Sequence, residues 1–155
     1  MQEMTPEQIL AQLEAARTRG NLPEEIHAQL KAAEKRGDVE GQLEILRQSL
    51  SLAQQSANTV GEIEVLRQLG NIYQHISQLR KAHAYRVVAA ELVADPRSQC
   101  PPGGRMLVEA DLGRSYIEGR EWQKAEKYTL EAIEIAKSLG DQPAQDTYEL
   151  NLALI

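Results

Sequence analysis

Arg67 and Asn71 stand four residues apart, with Glu64 three positions before the arginine and Gln74 three after the asparagine. Residues at such spacings share one face of a helix. A guanidinium offers a carboxylate a planar fork of N–H donors, and a side-chain amide beside it adds more. The pair therefore has the chemistry to hold an acidic group, and Arg114 supplies a further cation of the same kind. A local reading competes with this one. Arg67 can pair with Glu64 on a solvated helix face, and the carboxylate of Asp111 repels an incoming acid.

Reactive groups are otherwise sparse. His27, His75 and His83 lack the spacing of helical metal ligands, and neither HExxH nor CxxC occurs. Gly70 and Gly113 stand without the further glycines and Lys-Ser/Thr of a phosphate loop, and no Gly-x-Ser-x-Gly sets up a nucleophile. Glu24-Glu25 opens a helix, where the macrodipole alone accounts for two acids. Arg36-Gly37-Asp38 reads as a turn that ends a helix, as does Arg19-Gly20-Asn21. No catalytic residue, metal or cofactor is expected, and the chain reads as a non-enzyme.

The elements that must position these groups are helices. The 155 residues suffice for one domain with a sizeable core. Apolar residues make up 42%, carried by Leu and Ala with no Phe, among many Glu, Gln, Lys and Arg. Those straight-chain residues lose little rotamer freedom in a helix, and Val, Ile and Thr form no alternating runs. Turn residues predict helices at about 5–19, 22–36, 39–55, 59–76, 79–94, 105–118, 121–139 and 143–154, with one long break at 95–104. The net charge of −6 argues against nucleic acid as the main ligand. MQEMTPEQ lacks the pattern of a signal peptide, and no run approaches the ~18 apolar residues of a membrane span. The expected location is the cytoplasm, with no membrane insertion. A single cysteine, Cys100, makes no internal disulfide.

Internal repetition organises the helices. At an offset of 43, Leu69, Gly70, Tyr73, Lys81, Ala82, Tyr85, Ala89 and Glu91 fall on identical residues, from Leu112 to Glu134. Eight ungapped identities within 23 positions mark a repeat. A weaker echo at an offset of 39 sets Leu30, Leu43, Leu46 and Leu50 opposite Leu69, Ala82, Tyr85 and Ala89. Glycine inside a helix costs about 1 kcal/mol relative to alanine, so Gly70 and Gly113 are read as points where a neighbouring helix comes close. The alanines seven apart lie on one face of the second helix of each hairpin. Tyr73 and Tyr116 fill the gaps beside the glycines.

Leu66-x2-Leu69-Gly70-x2-Tyr73 followed by Ala82, Ala89 and Pro96 resembles the tetratricopeptide repeat, as does Leu112-Gly113-x2-Tyr116 followed by Ala125 and Ala132. The chain departs from that pattern in three ways. The second-helix aromatic falls one residue early at Tyr85 and Tyr128, Glu109 stands in place of Trp, and the spacings exceed the usual one, as in a longer-helix type. The resemblance implies an all-α, right-handed superhelical array of antiparallel helix hairpins forming a single domain over 1–155. Degenerate N-terminal helices would cover about 6–56, clearer repeats 63–96 and 106–138, and a capping helix 143–154. It places Glu64, Arg67, Asn71 and Gln74 on a concave groove, with Leu107, Ala110, Arg114 and Ile117 from the next repeat. Lys35 joins them from the first, with Glu25, Ala28 and Ala32. Arg67 and Asn71 resemble the basic-residue/Asn pair with which some such proteins clamp a peptide carboxylate.

The implied function is a non-catalytic interaction module or scaffold that holds a peptide or protein segment in this groove. Arg67→Glu is then expected to weaken partner binding and keep the fold. Two alternatives are a sensory domain binding a small molecule or signalling peptide, and a self-assembling structural protein. The apolar C-terminal stretch QDTYELNLALI is expected to pack inward as a cap, with homodimerisation through this helix as the alternative.

Overall fold

The computed structural model describes residues 24–155, and among them it contains seven α-helices and no strand. In chain order these are α1 (Glu24–Lys35), α2 (Val39–Gln55), α3 (Thr59–His75), α4 (Leu79–Ala94), α5 (Pro102–Glu118), α6 (Trp122–Leu139) and α7 (Gln142–Leu152). The helix expected over 5–19 lies outside the described residues. No described helix is long and apolar enough to cross a membrane.

Five of the connections are built alike. One residue adopts the left-handed backbone: Gly37 (φ 68°), Ala57 (54°), Ser77 (63°), Arg120 (58°) and Gly140 (68°). The next amide donates to the carbonyl five residues back, as from Asp38 to Ala33, Gln78 to Tyr73 and Glu121 to Tyr116, at 2.8–2.9 Å. This closure satisfies carbonyls that the helix end leaves free and reverses the chain within a few residues. Arg36-Gly37-Asp38 is accordingly a helix-ending turn, and Asp38 then caps α2 by accepting from the Gly41 amide at 2.8 Å.

The connection from α4 to α5 differs. Asp95 accepts from the Arg97 amide at 2.9 Å and opens a short 3-10 turn, Pro96–Ser98. Helix α5 then starts at Pro102, three residues earlier than the sequence predicts. Proline there has its φ already set for a first helical turn, and its missing N–H would have had no intrahelical partner.

Each helix packs chiefly on its neighbours in the chain, and α3 also touches α5. The core follows suit as a string of clusters. Leu30, Leu43, Leu46, Leu69 and Tyr73 unite α1 to α3; Ile63, Leu66, Ala89 and Val108 join α3, α4 and α5; Met106, Ala132, Ile133 and Ala136 receive Tyr148 of α7. α7 thus buries one face through Tyr148, while Leu150 and, just beyond the helix, Leu154 remain exposed.

The contacts repeat at the 43-residue offset. A Cβ added to Gly70 would lie 3.5 Å from the Ala82 carbonyl and 3.3 Å from Arg86 Cγ. One added to Gly113 would lie 3.6 Å from the Ala125 carbonyl and 2.7 Å from Thr129 Oγ1. Ala82, Ala89, Ala125 and Ala132 are fully buried. Tyr73 stacks on Tyr85 with centroids 5.5 Å apart, and Tyr116 on Tyr128 at 5.7 Å. Lys81 and Lys124 cap the first ring of each pair. Because Thr129 is branched and buried, Gly113→Ala should lower stability by about 1–2 kcal/mol in urea unfolding despite its better helix propensity. Adding Thr129→Ala, which removes the obstructing hydroxyl, should recover most of that loss. Equal midpoints for Gly113→Ala and wild type would show that this contact does not set the helix spacing.

Candidate functional site

Helices α1, α3 and α5 open each of the three hairpins, and two cavities lie along them. One, of about 400 Å³, is lined by Arg67, Asn71, Gln74 and His75 of α3 and by Asp111 and Arg114 of α5. The other, of about 440 Å³, is lined by Lys31 and Glu34 of α1, Gln42 of α2, and Gln68, Asn71 and His75 of α3. Asn71 and His75 border both, so the two adjoin as a trough from α1 to α5, with Leu30, Val39 and Ile72 forming an apolar wall at the α1 end. Four of the residues singled out in the sequence, Arg67, Asn71, Gln74 and Arg114, therefore meet around one cavity. Glu64 stands behind Arg67 as its ion-pair partner. Lys35, in the last turn of α1, is exposed and borders neither cavity.

The guanidinium of Arg67 is already engaged. It is 9% exposed, its Nε donates to Asp111 Oδ2 at 2.9 Å, and its Nη1 donates to Glu64 Oε2 at 3.3 Å. Burial acts to lower its pKa, but the fields of Asp111 and Glu64 outweigh that and raise it, so the charge is fixed. This corrects the expectation for Arg67→Glu: a glutamate here would face two carboxylates in a buried site, and the fold would suffer before any partner did. The other oxygen of Asp111 faces Arg114 Nη2 at 3.6 Å. Arg114 is 44% exposed at its side chain and, with the exposed Lys31 at the α1 end, is a cation that the trough presents to solvent.

Behind the trough runs a second polar chain that sequence reasoning did not find. Arg86 of α4 is 1% exposed; it donates to Ser115 Oγ of α5 at 2.8 Å and to Gln74 Oε1 of α3. Gln74 in turn donates to Glu118 of α5 at 2.9 Å. Neither acceptor of Arg86 is a carboxylate, and burial pulls its pKa down although Asp111 partly opposes this. A signal for Arg86 was present, since it interrupts the buried stripe of Ala82 and Ala89. Asn71 Oδ1 is buried and lacks a donor, while His75 is exposed at the rim. The lining thus offers amide donors and acceptors, an open guanidinium, an imidazole and, at the α1 end, Lys31 and Glu34 beside the apolar Leu30, Val39 and Ile72.

A third cavity, of about 540 Å³, lies apart between the start of α5 and the later turns of α6. Its buried member is Glu109, the residue standing where the repeat pattern has Trp. Glu109 Oε1 accepts from Arg105 Nε at 3.0 Å, and Oε2 has no donor. Burial raises the Glu109 pKa, Arg105 opposes, and the neighbouring Glu131 adds to the rise.

No protein-family model matches the chain, and no curated protein matches it in sequence. Among solved structures, the fold is similar to the crystal structure of BtubC (BKLC) from P. vanneervenii, with a TM-score of 0.77 and 20% identity. The match covers 98% of this chain and 66% of that one, so this chain spans just under two thirds of that structure's length. The likeness is one of fold, an all-α arrangement of helices.

Arg67→Ala should destabilise by about 3 kcal/mol in urea unfolding, because it leaves Asp111 buried with only the more distant Arg114. A loss below about 1 kcal/mol would mean that the pair behaves as a solvated surface bridge. Glu109 gives a pH signature. An unfolded glutamate releases its proton near the ordinary value of 4.5, whereas the folded protein holds it to higher pH. Within that window the native state binds more protons, so stability falls as pH rises through it. Glu109→Gln should therefore melt above wild type at pH 7, with the difference vanishing below pH ~4. A difference independent of pH would overturn this assignment.

Proposed function

We propose that this protein is a tetratricopeptide-like superhelical array and works as a non-catalytic interaction module, holding an extended peptide or protein segment in the trough across α1, α3 and α5. One observation carries the reading: the cavities between successive first helices share Asn71 and His75 and so adjoin along α3. The hydrogen bonds that tie α3 to α5, Arg67 to Asp111 and Gln74 to Glu118, span 44 residues each and fit one repeat stacked beside the next. The recurrence of the glycine, alanine and tyrosine contacts at an offset of 43 supports the same architecture.

The chemistry of the trough indicates how a segment is held. Gln42, Gln68 and Asn71 each carry both a donor and an acceptor, the complement of a peptide main chain. Arg114 is placed to anchor an acidic side chain or a terminal carboxylate. Arg67 and Arg86 act behind them, fixing the helices between which the segment lies.

The test is affinity capture with the full chain, followed by calorimetry on the captured partner with wild type and Asn71→Ala/Arg114→Ala. The double variant should bind about tenfold or more weakly, since each lost hydrogen bond to a charged or buried group is worth about 1–3 kcal/mol. Its helical circular dichroism should match wild type. Unchanged affinity would place the partner elsewhere on the molecule.

A further inference from the structure

The cavity beside Glu109 shares no lining residue with the trough, and its chemistry is different. We propose that it is a binding site for an alkylammonium group, a primary amine cation carried on an unbranched apolar stem. The Glu109 side chain is 8% exposed and borders the cavity, and its Oε2 meets no N–H donor; the carboxyl lies within hydrogen-bond reach of the Glu131 carboxyl, a contact that only a shared proton satisfies. A buried carboxylate oxygen in that state is an acceptor waiting for a donor.

Charge and shape specify the donor. Glu109, Glu131 and Glu134 line the cavity with Arg105, whose Nε is committed to Glu109 Oε1; Glu134 pairs with Lys137 at 3.7 Å, so the uncompensated charge is that of Glu109 and Glu131. The remaining field favours a positive ligand. A guanidinium prefers both oxygens of a carboxylate, and here one is taken; an ammonium is a point donor that needs only the other. Its three N–H groups allow a second bond to Glu131, which lies close enough to Glu109 to perturb its ionisation. A bare metal ion fits less well, because among the described residues no three His, Cys, Asp or Glu side chains converge to hold one. The walls suit a methylene stem: Leu130, 42% exposed, and Ile135 of α6 face Pro102 and Cys100. About 540 Å³ is room for such a stem together with its headgroup.

Free alkylamines and the lysine side chain of a partner protein share this chemistry. The experiment is an amide-shift NMR titration of the full chain with n-butylamine, with 1-butanol and with Nα-acetyl-lysine methylamide. The amine should shift amides within 100–109 and 130–138 saturably, and 1-butanol should bind at least about tenfold more weakly. Glu109→Gln keeps the shape and the Arg105 acceptor, so it should stay folded and lose about tenfold or more in affinity for the amine. Glu131→Gln, on a less buried residue, should weaken binding as well and guards against a misfolded first variant. Tighter binding of the lysine derivative assigns the site to a partner's lysine, and tighter binding of the free amine to a small ligand. Equal affinity in wild type and Glu109→Gln, equal binding of 1-butanol, or shifts confined to other helices would overturn the proposal. The trough reading stands or falls separately, on Asn71 and Arg114.

Discussion

Gly70 presents no side chain to α4, and the Ala82 carbonyl and the stem of Arg86 lie where a Cβ would otherwise fall. At Gly113 the same space is taken by the Ala125 carbonyl and Thr129. This close approach of paired helices is the constraint on which the rest of the structure rests. It lets the buried alanines of α4 and α6 sit flush against α3 and α5, and each contact is accompanied by one stacked tyrosine pair. It also explains why glycine is kept at two helix-interior positions where alanine would favour helix by about 1 kcal/mol. The position four residues after the alanine is filled differently in the two hairpins. Thr129 stops at the interface, whereas Arg86 is long enough to run over Gly70 and reach Ser115 on α5.

That reach links spacing within a hairpin to spacing between hairpins. Arg86 touches α3 through Gln74 and α5 through Ser115, while Arg67 ties α3 to α5 through Asp111. A well-packed apolar substitute for a buried ion pair is often as stable as the pair itself. What the ion pair adds is direction: Arg67 Nε and Asp111 Oδ2 at 2.9 Å accept only a narrow range of sliding between the two helices. The trough lies on that same boundary. The residues that fix α3 against α5 therefore also fix the separation of Asn71 and Arg114.

Much of this framework was legible because identical residues do identical work. Leucine, glycine, alanine and tyrosine at an offset of 43 report a packing contact each, and turn residues mark five helix ends closely. The start of α5 was missed because Pro102 sits among residues that read as loop, QCPPGG, while proline at a first helical position is compatible with both. The site was legible only in part. Arg67, Asn71, Gln74 and Arg114 were placed together by repeat register, but their state was not. Whether Arg67 is open or engaged depends on Asp111, which lies one residue beyond the position equivalent to Arg67 in the next repeat. Local spacing offered Glu64 alone as a partner. Arg86 and Glu109 break the repeat instead of following it, so a search for identities passes over them. A charged residue at a repeat's core position is the signal that finds both.

The trough and the Glu109 cavity differ in what a ligand has to displace. In the trough most polar groups already satisfy one another, Arg67 with Asp111 and Glu64, and Gln74 with Arg86 and Glu118. A segment entering there exchanges bonds with water and side chains more than it adds new ones, so affinity grows with the length of chain engaged rather than with any single contact. Under the proposed function, such a surface would bind an extended partner reversibly. At Glu109 one oxygen has no N–H donor and the carboxyl lies against that of Glu131, so the ionised form is penalised in the folded state before any ligand arrives. A cation that reaches it restores a hydrogen bond and relieves a repulsion with Glu131 in the same step. The energy for recognition is thus stored locally in the cavity, whereas in the trough it is spread across three helices.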